Sequence, residues 1–515
     1  MNTFKRKALF TAVLATVGAA GTAEAVYLNP NGTGQVLVYP YYTVQSAGGN
    51  AYNTYLSVVN TTSSAKAVKV RFLEGKTSSE VLDFNLFLSP NDVWTAAVVP
   101  ASSATGAAAH ILTADTSCTS PNIGLTGQDF RNFQYAAGVG GVALPGVGLD
   151  RTREGYVEMI EMATLTGTTA ANVTHVSGVP LNCSAVRGAT FVPPGTDLLP
   201  PSGGLMGTGT LINVNNGTDA GYKADALEAF SATTQYSAPS TLFPALDSAN
   251  PPVSLVVNAG TMIGTGASMG ITAYQSDFST AASPSPGANA VASVYMHSAV
   301  MNEYILDAAT GSNTDWVITQ PLKNRYVTNT AAITPYTATL TAGGACETVS
   351  FAYFNREEAG AAASGVDFSP PPPTGPANAI CWESNVMSMR STTGASSTLP
   401  AGSSGVLGSV NNTNISIATG YQNGWALLSF TGTNAAGTGL TAPASTRVVL
   451  NQVIGAPTLA AAAAVRFNGL PVTGFMIRTF NNGTLSCTGS SGAAGSCQGT
   501  YSALFNHSYR NLITP

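Results

Sequence analysis

The chain has 515 residues, of which 20 are basic and 25 acidic, for a formal net charge of −5. Charged residues make up 9% of it, against roughly 25% in ordinary soluble domains, which excludes an electrostatic surface for nucleic acid or anionic lipid. Hydrophobic residues at 44% and aromatics spread along the chain exclude disorder over most of its length.

Lys5, Arg6 and Lys7 precede an apolar run from Ala8 to about Ala20, and the small-residue site Ala23-Glu24-Ala25 follows. That order predicts a secretory signal peptide over residues 1–25, cut between Ala25 and Val26. Cleavage leaves 17 basic and 24 acidic residues, a net charge near −7. No cysteine directly follows the apolar run, so a lipid anchor is not expected. No later stretch has the ~18 uninterrupted apolar residues of a membrane-spanning helix. A short arm from Val26 to Thr33 precedes the first clear strand, and its pairing with a neighbouring subunit is a question for the structure.

Residues 35–44 (QVLVYPYYTV) read as a strand, as do 53–59 after the Gly48-Gly49-Asn50 turn. Val68, Val70 and Phe72 then alternate with Lys69 and Arg71. After the Glu74-Gly75-Lys76 turn, Leu82, Phe84, Leu86 and Leu88 alternate with Asp83, Asn85 and Phe87, and Val93-Trp94 to Val99 completes the set. Such alternation predicts strands with one face buried and one wet. Five of them in succession predict an immunoglobulin-like β-sandwich over residues 26–105, with its Trp and Phe side chains in the core.

Residues 106–345 read as an irregular β-rich middle region. A short helix is expected within 101–115 and another within 221–230. Residues 153–163 (REGYVEMIEMA) read as a strand whose Glu158 and Glu161, three apart, point to opposite faces, which argues against a catalytic carboxylate pair. A Gly/Pro-rich loop spans 187–210. Further strands are expected at 210–214, before an Asn215-Asn216-Gly217 turn, and at 253–257, 291–296 and 315–319. Residues 346–515 read as a C-terminal β domain. Its prolines 370–373 form an extended loop, and strands are expected at 424–432 and 471–480. The latter runs into Asn482-Gly483, read as a hairpin turn. The fold class is therefore mainly β, with immunoglobulin-like sandwich modules at the two ends, an irregular β-rich middle and a few short helices.

Six cysteines remain after cleavage: Cys118, Cys183, Cys346, Cys381, Cys487 and Cys497. An even number in an oxidising compartment predicts three disulfides, and clustering favours the sequential pairing 118–183, 346–381 and 487–497. No pair has C-x-x-C spacing, so zinc is not expected.

Gly266-Ala267-Ser268-Met269-Gly270 matches the nucleophile elbow G-x-S-x-G, with Ser268 as nucleophile and Asp307 or Asp315 and His507 as its partners. Glycine is about a tenth of the chain, so a chance match is expected, and the sequence after Ser268 does not read as the required helix. His110, His175, His297 and His507 have no metal-ligand spacing. There is no P-loop or EF-hand, and GTGTL (207–211) lacks a dinucleotide fingerprint. No cofactor is expected. Arg356-Glu357-Glu358 reads as a solvated loop. Asn60, Asn172, Asn216 and Asn414 head N-x-S/T sequons.

VVNTTSSAKAVKVRFLEG (58–75), EVLDFNLFLSPNDVW (80–94), TDWVITQPLKNRYV (314–327) and GLPVTGFMIRTFNNG (469–483) resemble a group of proteobacterial cell-surface proteins of unassigned activity. The resemblance implies an exported envelope protein and carries no catalytic residues over. The leading expectation is thus a non-enzymatic surface protein, a layer or filament subunit or an adhesin, that self-associates or binds a surface partner. A secreted serine hydrolase using Ser268 is the first alternative. An outer-membrane β-barrel is the second, against which the strands lack a regular ~10-residue rhythm.

Overall fold

The alternation of Val68, Val70 and Phe72 with Lys69 and Arg71 is realised in the central strand pairing of a two-layer sandwich. The computed structural model describes residues 24–514 apart from 48–49, 103–106, 145, 189, 240, 264–267, 282, 363–367, 370–378, 392–401, 431–447, 454–463 and 489–493. Nearly all of the expected signal peptide and the proline run 370–373 lie outside the described residues.

One layer is an eight-stranded antiparallel sheet built around Val36–Thr43, Ala65–Glu74, Glu80–Leu88 and Glu154–Leu165. The other has six strands, among them Asn53–Asn60, Val93–Pro100, Ala109–Leu112, Leu205–Asn213 and Thr218–Lys223. Leu37, Tyr39, Val68, Phe72 and Phe84 from the first meet Leu56, Val58, Trp94 and Leu211 from the second. Trp94 is fully buried with its ring 5.7 Å from that of Phe84. Each such large apolar side chain contributes roughly 1.5–3 kcal/mol by leaving water.

Three sequence expectations are corrected here. The sandwich does not stop at residue 105, because Glu154–Leu165 and Leu205–Asn213 complete its two layers. Every residue of Glu154–Leu165 is buried, so the strand lacks the alternation by which half-buried strands are recognised. The helices expected within 101–115 and 221–230 are strands, Ala109–Leu112 and Thr218–Lys223 with Asp225–Glu228. Ala220, Tyr222 and Ala224 turn inward at a period of two, and their packing overrides helical propensity. The strand expected at 291–296 is instead mostly the helix Pro286–Tyr295. Ser285 caps it by accepting from the Ala288 N–H at 3.2 Å, and Pro286 occupies its first turn. That helix is buried within the second core.

The C-terminal half forms a second sandwich. Asn313–Thr319, Ser384–Ser391, Asn412–Ile417, Thr473–Thr488 and Ala494–Asn506 belong to a six-stranded sheet. It packs on a five-stranded sheet containing Ala299–Ile305, Ser350–Asn355 and Asn423–Ser429. Trp316, Met387, Met389 and Met476 face Phe351 and Leu428 between them. The next residues along the same strands, Val317, Val386, Phe475 and Ile477, join the core of the first sandwich. Phe475 stacks on Tyr222 at 5.1 Å, so the two sandwiches share one interior. A further five-stranded sheet joins Val253–Ile263 and Ser268–Asp277 to Val448–Val453, Ala464–Asn468 and Leu512–Thr514. Among the described residues each of these sheets is open at both ends, and none closes into a barrel.

The Val26–Thr33 arm pairs with its own chain. The Val26 N–H donates to Val253 O at 2.7 Å, and the Leu255 N–H returns to Val26 O at 2.8 Å. Tyr27 and Leu28 lie in register with Glu228 and Leu227. Glu24 is exposed and Val26 fully buried, so the bond read as the cleavage site lies where the chain leaves solvent.

Candidate functional site

The residues proposed for a serine hydrolase are not drawn into a triad by the described groups. Ser268 opens the strand Ser268–Asp277 in register with Ile263, so the expected turn from strand to helix is absent after it; its side chain lies outside the described ones. His507 is buried, with Nε2 2.9 Å from Val317 O and Nδ1 2.9 Å from Asn302 Nδ2. A donating Nε2–H and an accepting Nδ1 satisfy both contacts. Burial lowers its pKa to about 4, and that of His297 likewise. Asp315 accepts the Val406 and Leu407 N–H groups, both at 2.9 Å, and Asp307 accepts the Ala309 N–H. His110 bonds Asp129 at 2.7 Å, and His175 bonds Ser89 at 2.7 Å. Arg356, Glu357 and Glu358 lie exposed in a turn.

Alternation predicted that Lys69 and Arg71 face water. They are 0% and 4% exposed. The second face of their sheet is covered: Asn85 donates to Ser237 O at 2.9 Å, and the Tyr156 hydroxyl to Pro321 O at 3.0 Å. Burying charge demands a partner, and each has one. Arg71 donates from Nε to Glu80 and from Nη1 to Glu158, both at 2.7 Å. Lys69 pairs with Asp83 and Lys66 with Glu161 at 2.8 Å. Glu158 and Glu161 are therefore on opposite faces, as their spacing requires, and each holds a different cation.

A second group of buried carboxylates binds backbone amides. Glu74 accepts from the N–H groups of Lys76, Thr77 and Ser79 and pairs with Arg151 at 2.8 Å. Glu154 accepts from Val410 at 3.0 Å and Asn411 at 3.3 Å, and Glu347 from Thr337 at 2.7 Å and Ala338 at 2.9 Å. Glu161 takes the Ser202 and Gly203 N–H groups. Each carboxylate fixes backbone by charge-assisted bonds, roughly twice as strong as neutral ones: Glu74 its own following turn, Glu347 a segment ten residues back, and Glu154 and Glu161 loops far along the chain. The partners of Glu154 and Glu161 are backbone groups far along the chain, so nothing in the local sequence marks those two acids. Burial also raises several carboxyl pKa values: Glu383 to about 8, Glu228 to about 7 and Asp225 to about 6.

With so many charges inside, the outside carries few. On the open face of the six-stranded N-terminal sheet, Tyr55 lies between Ala97 and Thr210, and Ser57 between Thr95 and Thr208. Ser57 and Thr208 share a hydroxyl bond of 2.7 Å, and Tyr55 is 46% exposed. The strands Asn53–Asn60, Val93–Pro100 and Leu205–Asn213 contain no charged residue. A depression of about 390 Å³ on this face is lined by Tyr55, Thr95, Leu112 and Thr208. It adjoins an open pocket of about 500 Å³ bordered by Thr113, Asp115, Asn122, Asn182 and Arg187. Cys183 also lines that pocket, and its bridge to Cys118 fixes the pocket wall. The chemistry offered is hydroxyl, amide and aromatic contact, with Asp115 and Arg187 adding one charge of each sign at the second pocket.

Two of the three expected disulfides are present, Cys118–Cys183 and Cys346–Cys381. Cys487 and Cys497 stand opposite Gly495 and Leu485 in the backbone register, and their side chains lie outside the described ones. Two sequon asparagines are buried. Asn60 donates to Ser64 O and Ser89 O, and Asn414 accepts from Arg390 Nε at 3.0 Å. Comparison with protein families, curated proteins and solved structures finds no match to this chain.

Proposed function

We propose that this chain is exported and serves at the cell surface or outside the cell as a non-enzymatic structural or adhesive subunit. The observation that carries the reading is the hydroxyl- and aromatic-bearing centre of the open face of the six-stranded sheet, formed by three strands without charge, with Asp219 and Lys223 confined to its edge strand. A neutral central patch of this kind favours contact with other neutral surfaces over capture of a charged small molecule. The two disulfides fit an oxidising compartment, where thiols pair and persist. The secretory signal read over residues 1–25 supplies the route.

Binding of the purified mature chain to whole cells and to neutral polysaccharide tests the reading, beside a screen for ester, glycoside and peptide hydrolysis. Retention weakened by Tyr55→Ala, with no turnover, is the expected result. Turnover abolished by Ser268→Ala would contradict it.

A further inference from the structure

At one corner of the joint between the sandwiches, the turn linking Ala65–Glu74 to Glu80–Leu88 meets residues 320–326 and 381–384 of the second sandwich. The Ser384 N–H donates to Gly75 O at 2.8 Å, and the Gln320 N–H to Glu383 O at 2.6 Å. The Tyr156 hydroxyl lies 2.8 Å from Ser78 Oγ and 3.0 Å from Pro321 O. The fit is close: a Cβ on Gly75 would come within 2.7 Å of Asn411 Nδ2 and 3.3 Å of Ser384 Cβ.

Glu383 is enclosed in this corner at 4% exposure. The Ser78 hydroxyl and the Asn324 N–H face its carboxyl. Its Oε2 has no hydrogen-bond partner among the described residues. A buried carboxylate with an unbonded oxygen is costly, and the neutral acid much less so. The surrounding charges leave that balance in place. Lys323, 1% exposed, favours the carboxylate, while Glu74, itself paired with Arg151, opposes it. Lys76 lies over the Trp382 ring at 5.1 Å, and burial holds the Tyr156 phenol neutral. Burial is the largest influence on Glu383 and raises its pKa to about 8.

The segment that carries Glu383 is tied down by the Cys346–Cys381 bridge. The turn opposite is held by hydrogen bonds, and its Ser78 has φ +52°, a left-handed conformation uncommon outside glycine. The turn is therefore the part able to lift.

We infer that Glu383 is a proton-controlled latch between the two sandwiches: the neutral acid holds the 75–79 turn against the second sandwich, and its ionisation releases the turn so that water reaches the carboxylate. The closed corner keeps a proton that an open, hydrated carboxyl gives up above a pKa near ~4.3. Closure is complete below that pH and weakens as pH rises, until the raised pKa of the closed state is passed. One proton makes opening about tenfold easier per pH unit across that window. The joint is stiff in acid and looser in alkaline surroundings. This device does not depend on where the protein sits.

Hydrogen exchange of the mature chain, followed by mass spectrometry from about pH 5 to 7.5, tests it on peptides covering 74–80 and 383–385. Exchange through any opening rises in proportion to hydroxide. A proton released on opening adds a second such dependence, so the exponent for these peptides is expected to be about two. In Glu383→Gln it should fall to about one, with stronger protection than the original at the upper pH. Peptides from Val36–Thr43, which exchange through whole-chain unfolding, should be far slower in both proteins. Glu383→Met takes the place of the Gln variant if that one does not fold. An exponent of about one in the unmodified chain overturns the inference. So does an unchanged exponent in a folded variant, or corner peptides that exchange no faster than those of Val36–Thr43.

Discussion

Replacing Arg71 by Met should destabilise the first sandwich strongly, and the size of the loss should depend on pH. Arg71 sits between Glu80 and Glu158 at 2.7 Å from each, and the three side chains are 4%, 6% and 2% exposed. Burial already raises both carboxyl pKa values despite the guanidinium. Met keeps most of the volume and removes the charge, leaving two buried carboxyls. Breaking a buried ion pair in this way costs about 3–5 kcal/mol. The carboxyls respond by holding their protons in the folded state, while the unfolded chain releases them above a pKa near ~4.3. A folded state that binds more protons than the unfolded one loses stability as pH rises. The slope is about 1.4 kcal/mol per pH unit for each carboxyl, continuing to the raised folded pKa. The deficit relative to the unmodified chain is therefore small near pH 4.5 and full at pH 7. Urea unfolding of the oxidised chain at the two pH values measures it. A loss below about 1 kcal/mol at pH 7, or an equal loss at both, would refute the reasoning. The triple variant Arg71→Met, Glu80→Leu, Glu158→Leu should recover most of the loss, because an apolar replacement of the whole network is often neutral.

Glu383→Gln should gain stability over the unmodified chain as pH rises from about 4.5 to 8, because the buried acid of pKa about 8 retains a proton that the unfolded chain gives up. The full gain is on the order of 4–5 kcal/mol before the weakened Ser78 contact is deducted, and thermal melts at pH 5 and pH 8 read it. Cys118→Ser with Cys183→Ser opens a crosslink spanning 65 residues. Loop entropy sets that loss at about 4 kcal/mol, measured by denaturation with and without reductant. Asn60→Ala should cost about 1–3 kcal/mol by leaving the Ser64 and Ser89 carbonyls unpaired. For the same reason, intact mass from a glycosylating host should show no glycan on Asn60.

The sequence made strands of the first sandwich legible, but not which sheet each joins or which of its faces is covered. Val68 to Phe72, Leu82 to Leu88 and residues 153–163 were all read as strands, but Glu154–Leu165, like Ala65–Glu74, is buried throughout, and nothing local placed it beside Ala65–Glu74 in the first sandwich. Ser285-Pro286 is a sound helix start, but the Val and Tyr content that followed pointed to a strand, and local propensity yielded to burial in the shared core. Asn482-Gly483 has the composition of a turn. Its φ is that of a bulge, and only the continued pairing to Thr488 distinguishes the two. The charges were misread for a related reason. Lys69 and Arg71 stand on the face that alternation assigns to solvent, but loops from residues 229–250 and 320–326 cover that face, and no local pattern records such a distant cover. The neutral centre of the open face was legible only as composition: few charges in the whole chain, with no sign that Lys66, Lys69, Arg71 and their partners would be inside.

Where the protein sits on intact cells tests the surface reading most directly. Antibody labelling and protease treatment of unbroken cells, with the N-terminus of the released chain read by mass spectrometry, give the answer in one preparation. The surface reading predicts labelled, protease-sensitive cells and a mature chain that begins at Val26 with both described disulfides oxidised. A chain that keeps residues 1–25, reduced and protected inside unbroken cells, would contradict it.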